Sequence, residues 1–461
     1  MNKEKEVINR EDKKSELGRE SIGRLLLKLS IPATFGMVVN GLYNVVDTIF
    51  IGRGVGTGAI GGLSLAIPAQ IVIMAFGIAI GQGAASVVSR SLGAKNYAIA
   101  RRAAGNAFAS ALLVSVLITL LGSIYLEKLL LLLGATETLF KYSYDYLSII
   151  LYGTPFLLLS IAANNLLRAE GKAKISMTIM LIGAVTNIIL DPFFIFVFKL
   201  GIKGAAWATV TGQFFSFLYA IRFFVTGKSA VEVKLKHLLF KKSVVWDIVS
   251  LGFPSFIRQS GSGIVAVLLN NLLGKYGGDI YIAAYGLINR MVMFLFMPLF
   301  GLVQGFQPIA GYNYGAEKFD RVRKTLKIAV LSASIYTTGG FLLLFFLPGT
   351  IAGIFTSDGL LIETVKDSIR IIIAVFPLIG MQIIGSSYFT VIGKKLPSLI
   401  LNLSRQFFIL IPLLLILPHF FGIYGILTSF PVSDFLATLI TLSWLLLELK
   451  HLDKSHRETL E

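Results

Sequence analysis

Two aspartates lie inside segments that are otherwise apolar enough to cross a bilayer. Asp47 sits in IPATFGMVVNGLYNVVDTIFIGRG (31–54), and Asp191 in TNIILDP (186–192). A carboxylate at membrane depth costs roughly 2.5–3.5 kcal/mol on insertion scales, so such residues line a cavity or have a partner and mark ion or substrate pathways. Asn40, Asn44 and Asp47 recur at i, i+4 and i+7, one helical face, with Tyr43 a turn below Asp47. Asn187 and Asp191 share a face at i, i+4. At 1.5 Å per residue both acids stand roughly 25–30 Å above the cytoplasmic ends of their helices. Thr209, counted down from the outer end of the sixth apolar segment, falls at a comparable level. Two carboxylates, an amide and a hydroxyl at one depth form a hard-oxygen set that suits Na⁺ or a shared proton. The plainer alternative is a structural aspartate hydrogen-bonded between helices.

The elements that position these residues are membrane helices. Of 461 residues 55% are hydrophobic and 15% charged, which excludes an ordinary soluble domain. Apolar runs follow one another from Leu25 to about Leu447, and twelve spans are predicted. They cover 24–52, 60–89, 103–126, 143–167, 174–198 and 201–224, then 244–273, 279–309, 321–347, 367–391, 396–418 and 422–448. The fold class expected is therefore all-α and polytopic. Pro32 removes one backbone donor near the start of the first span and predicts a bend there. Residues 1–24 lack a signal-peptide apolar core, so the first helix is expected to stay uncleaved.

Alternate connections separate by charge. Those carrying Arg90, Arg101, Arg102, Arg168, Lys172, Lys228, Lys234, Lys236, Lys241, Lys242, Arg321, Lys394, Lys454 and Arg457 hold 23 basic residues, and the opposite set holds 7. Both termini are thus expected in the cytoplasm of a multi-pass plasma-membrane protein. The formal charge of +17 is then explained by anionic lipid, without nucleic acid.

Shifted by 222 positions, the chain repeats its landmarks: Pro32 falls on Pro254, Gln82-Gly83 on Gln304-Gly305, Gly93-Ala94 on Gly315-Ala316, and Gly171-Lys172 on Gly393-Lys394. Gly201-Ile202 matches Gly422-Ile423 at a shift of 221. Six spans per half imply two lobes related by a pseudo-two-fold along the membrane normal, with a site between or within them. The division expected is a tail (1–23), an N-lobe (24–226), a basic linker (227–243), a C-lobe (244–448) and a second tail (449–461). The twins of Asp47 and Asp191 are Leu269 and Leu413, so only the first half keeps the acids. The second half has Arg258, Gln259 and Arg290 in its first two spans and Arg405 and Asp434 in its last two. For these the readings are interhelical pairing or snorkelling, or contact with substrate or a gate.

Catalysis has little support. Gly56-Thr57-Gly58-Ala59-Ile60-Gly61 matches GxGxxG, but no strand precedes it. The four histidines lack metal spacing, and with no cysteine there is no thiolate site.

These residues resemble the multidrug and toxic compound extrusion (MATE) transporters along the whole chain. The resemblance rests on Pro32…Tyr43…Asp47, on Gln82–Ala94 and its echo Gln304–Ala316, on Leu167–Lys172 (LRAEGK), and on Asn187…Asp191. It is strongest for the subgroup whose cation site lies in the N-lobe, and implies that Asp47, Asn187, Asp191 and Thr209 coordinate or titrate the coupling cation. It also implies that Pro32 bends the first helix; from the residues themselves, Pro32, Asn40, Tyr43, Asn44, Arg258, Gln259 and Arg290 are read as candidates for a substrate cavity or gate. The expectation is a monomeric antiporter seated in the lipid bilayer, without enzymatic activity or cofactor, exporting amphipathic, often cationic, organic compounds (drugs) against H⁺ or Na⁺. The alternative is a lipid-linked oligosaccharide flippase of the same superfamily, for which Arg258 and Arg290 would contact a phosphate head group.

Overall fold

The computed structural model describes residues 16–227 and 229–460, with side chains as far as Lys450. Residues 1–15 of the expected N-terminal tail, Lys228 and the side chains of Lys454 and Arg457 lie outside the described residues. All described secondary structure is helical. In chain order the helices are α1 (Ile22–Gly54), α2 (Thr57–Gly93), α3 (Tyr97–Leu132), α4 (Glu137–Ala169), α5 (Ala173–Val197) and α6 (Ile202–Val225). A four-residue helix α7 (Leu235–Leu238) leads to α8 (Lys242–Gly277), α9 (Asp279–Gly315), α10 (Phe319–Phe346) and a short α11 (Pro348–Gly353). Then come α12 (Gly359–Ile372), α13 (Phe376–Val391), α14 (395–421) and α15 (423–460).

Among the described residues nine helical runs are long and apolar enough to cross a membrane, and ten if the bent pair α12–α13 counts as one span. The run Lys395–Lys450 is two spans, because Gly422 breaks it with φ 55° and ψ −132°. With α8, a 36-residue helix diluted by polar residues around Arg258, the total is twelve, six per half. The tenth span differs in shape from a single rod: it bends by 54° between α12 and α13, where Pro377 near the start of α13 lacks the N–H that would continue the ladder.

The internal repeat reappears in the backbone. Left-handed residues recur at the sequence shift: Gly56 with Gly278, Lys95 (φ 56°) with Glu317 (φ 57°), Gly171 with Gly393, and Gly201 (φ 60°) with Gly422 (φ 55°). Non-glycine residues are uncommon in this region, so the Lys95/Glu317 pair marks one turn built twice.

Packing gathers the described residues into two units: Phe35–Gln259, joined by 16–19, and 260–460, joined by Glu20–Thr34. α1 therefore changes unit two residues beyond Pro32, which is buried inside one continuous helix. In the first unit Gly83 of α2 and Gly252 of α8 let backbones touch: a Cβ on either would lie 2.0 Å from a carbonyl of the other helix. In the second unit Gly305 of α9 fits against Ser30 of α1, where a Cβ would lie 2.2 Å from the Ser30 hydroxyl and 2.9 Å from its backbone nitrogen. Small residues at such crossings are how membrane helices gain close van der Waals contact.

Candidate functional site

The first unit assembles the predicted cluster from three helices. α1 contributes Asp47, α5 contributes Asn187 and Asp191, and α6 contributes Thr209. Asp191 is fully buried, Asn187 is 2% exposed and Asp47 is 5% exposed. Asn187 bridges its neighbours: its amide donates to an Asp191 carboxylate oxygen at 3.2 Å and accepts from the Thr209 hydroxyl at 3.2 Å. The opposite amide orientation keeps both groups within 3.3 Å. The carboxyls of Asp47 and Asp191 face each other within hydrogen-bonding reach. Oδ1 of Asp47 is buried and meets no protein donor. Two facing carboxylates become favourable partners only with a proton or cation between them, because like charges at that range repel strongly in a low dielectric.

Local sequence explains how three helices come so close. Gly183 of α5, one turn from Asn187, opposes Gly212 of α6, one turn from Thr209; a Cβ at 212 would lie 2.6 Å from the Gly183 carbonyl oxygen. Ser216 fixes the same pair by donating to the Ile179 carbonyl at 2.9 Å. Between α1 and α5, Gly36 sits against Met180 and Gly54 against Ile195, and Phe50 packs edge-on to Phe196 at 6.2 Å. Pro192, directly after Asp191, removes a donor, and the helix widens into a π turn over Phe193–Val197 closed by Phe198 N–H to Phe193 O at 2.9 Å. Single π turns favour functional sites, and this one ends the helix immediately beyond the buried acid.

Two further residues join the site that the sequence reading did not single out. Tyr146 of α4 is 3% exposed, and its hydroxyl lies near Gln70 of α2, Thr209, Asp47 and Tyr43. Tyr43 itself stands near both acids. The other face residues are arranged differently. Asn44 is exposed and its amide donates to the Asn40 carbonyl at 2.7 Å, while Thr48 donates to the Asn44 carbonyl at 2.8 Å. Asn44 thus turns its amide onto its own helix. Arg258 and Gln259 are half-buried in α8 of the first unit, and Arg290 is exposed on α9 of the second.

In the second unit the twin of the acidic site is apolar. Val265, Leu269, Leu273, Leu410, Leu414 and Ile426 form a buried core, with Tyr285 and Phe430 packed on it. Arg405 and Asp434 form a direct ion pair, and the guanidinium stands 5.9 Å from the Phe296 ring centre. Interhelical pairing is therefore what these two residues do. Among the described residues there is no group of three or more His, Cys, Asp or Glu side chains that could hold a metal ion.

The MatE family model matches residues 32–193 and again 254–416. The two matches begin 222 residues apart, the shift read from the sequence, and together span most of the chain. The chain belongs to the MatE family. Members of the family are transporters, not enzymes, and the chain is a multi-pass plasma-membrane protein. The solved MATE multidrug transporter DinF-BH is 40% identical, with a TM-score of 0.86 over 93% of this chain and 96% of that one. The multidrug export protein MepA of Staphylococcus aureus (strain N315) is 27% identical over 91% of this chain and 93% of its own length. An outward-facing MATE family transporter of the MOP superfamily shares the fold at TM-score 0.89 and 24% identity, covering 95% and 98% of the two chains.

Proposed function

We propose that this MatE transporter exports amphipathic, often cationic, organic compounds in exchange for H⁺ or Na⁺, and that the cation is held by Asp47, Asn187, Asp191 and Thr209. The observation that carries this reading is the buried Asp47 oxygen without a protein donor, facing the Asp191 carboxyl. Carboxylate, amide and hydroxyl oxygens match the needs of a hard monovalent cation, and the same pair of acids shares a proton equally well. Tyr146, buried beside Thr209, closes that side of the cluster from solvent.

Coupling follows from differential binding. A cation neutralising the facing carboxylates favours the arrangement in which α1, α5 and α6 are closely packed. Without it the acids repel, and the arrangement that opens the N-lobe (24–226) to substrate gains weight. Pro32 gives α1 a place to bend between these arrangements, with Asn40, Tyr43 and Asn44 along the substrate path; Arg258, Gln259 and Arg290 contact substrate or a gate. The C-lobe (244–448) keeps its twin position apolar and carries no cation. We further place both termini and the 227–243 linker in the cytoplasm, and take the monomer as the working unit.

The test is transport in proteoliposomes with an imposed Na⁺ gradient and, separately, a pH gradient. Efflux driven by one of them supports the reading. Efflux unaffected by either would remove cation antiport.

A further inference from the structure

The linker between α6 and α8 is built rather than slack. Asn106 of α3, fully buried, donates from one amide nitrogen to the carbonyls of His237 and Leu239, each at 2.9 Å, and its oxygen accepts the Lys241 N–H at 2.9 Å. Glu170 accepts the Ser229 hydroxyl at 2.5 Å and the Ala230 N–H at 2.9 Å. His237 is buried, and its Nδ1 accepts the Lys234 N–H at 3.1 Å. Gly105 lets the strap lie flat on α3, since a Cβ there would come 2.3 Å from the His237 carbonyl oxygen. A buried side chain committed to three backbone groups fixes which residues of the strap face outward.

The outward residues are an unusual mixture. Leu235 is 85% exposed, Leu239 69% and Phe240 53%. Lys234, Lys236, Lys241 and Lys242 are exposed among them. The apolar set runs on into Trp246, Val249 and Phe253, the exposed stripe at i, i+3 and i+7 on the first turns of α8, a helix that enters the membrane. Large apolar side chains interleaved with lysines at the end of a membrane helix have the composition of an interfacial anchor: apolar groups sink to the acyl boundary while ammonium groups meet anionic head groups.

We propose that the 234–242 strap is an anionic-lipid docking element, with Leu235, Leu239 and Phe240 inserted at the headgroup–acyl boundary and Lys236, Lys241 and Lys242 on lipid phosphates. Because Asn106 ties the strap to α3, and Glu170 ties the 229–230 segment leading into it to the end of α4, anionic lipid would report directly to the packing of the first unit. The proposal concerns a surface away from the cation cluster and stands independently of the coupling reading.

The chain has no cysteine, so Leu239→Cys creates a single labelling site. A nitroxide there is read by collision with oxygen, which partitions into lipid, and with an aqueous nickel complex. The full-length protein is placed in nanodiscs of phosphatidylcholine alone or mixed with phosphatidylglycerol. The label should be immersed with phosphatidylglycerol, and each Lys→Gln change at 236, 241 or 242 should lower the immersed-to-aqueous ratio about fivefold. Raised salt should act in the same direction. Lys→Arg at the same positions, which keeps the charge, should restore immersion and separates lost recognition from misfolding. Equal immersion in both lipids, or immersion indifferent to Lys→Gln, would overturn the charge recognition. A label that stays aqueous in both lipids would leave the surface to a soluble acidic partner and overturn the proposal.

Discussion

Gly212→Ala should damage transport through geometry alone, without touching a charged group. An alanine Cβ at 212 would lie 2.6 Å from the Gly183 carbonyl oxygen, whereas ordinary contact begins at 3.4 Å. The obstacle is backbone, so α5 and α6 must part by about 0.8 Å. Asn187 and Thr209, one turn away on each helix, are 3.2 Å apart; after the shift they would stand about 4 Å apart, beyond hydrogen bonding. Overpacking costs about 1–3 kcal/mol and the lost interhelical bond adds about 0.6 kcal/mol. A displacement of this size in a preorganised site is expected to cost about tenfold or more in rate. The assay is gradient-driven efflux in proteoliposomes beside thermal unfolding in detergent, with Gly339→Ala as control, since a Cβ there meets nothing within 4 Å. Efflux down about tenfold with a modest loss of melting temperature is the expected result. Wild-type efflux and melting in Gly212→Ala would refute the claim that this crossing sets the site's geometry.

Three further outcomes follow from the same structure. Burial, and then Lys236, Arg101, Arg102 and Lys234, hold His237 below its ordinary imidazole range. The docked linker is therefore fully stable above about pH 6.5 and loses stability as pH falls below it. Deuterium uptake over 229–241, corrected for intrinsic exchange, should rise at about pH 5.5, and His237→Gln should flatten that dependence. Asp434→Asn weakens the Arg405 pair in the second unit and should lower the melting temperature while gradient-driven efflux stays within about twofold, since the pair is structural. A tag at Lys236 should be labelled only from the cytoplasmic side of intact cells; labelling from outside would reverse the topology.

The acids of the site were legible because a carboxylate in an apolar run is expensive and stands out. Asn187 and Thr209 were legible for a related reason, spacing and depth relative to those acids. Tyr146 and Gln70 were not: a tyrosine or glutamine in a membrane helix is common enough to carry no signal until another helix is packed against it. Asn44 shares a helical face with Asp47, yet its amide bonds backward to Asn40, and face assignment cannot foresee a rotamer. The repeat was visible as a shift of 222 and is repeated in the turn dihedrals of Lys95 and Glu317. That the first half of α1 packs into the second unit was hidden, because hydropathy tells a helix from water but not one neighbour from another. The bend between α12 and α13 was likewise submerged in a continuous apolar run.

The central claim is that Asp47 couples the cation to transport rather than merely holding helices together. Asp47→Asn keeps the side chain's size and much of its hydrogen bonding, but it cannot carry the charge that makes a cation discriminate between two helix arrangements. A ligand without that difference shifts no equilibrium. The direct measurement is gradient-driven efflux of a cationic dye from proteoliposomes beside equilibrium binding of the same dye in detergent, for wild type, Asp47→Asn and Asp191→Asn. The account predicts that both variants lose efflux and retain binding, because apolar contacts supply much of the affinity for such ligands. Normal pumping by Asp47→Asn, or loss of binding in parallel with efflux, would contradict it.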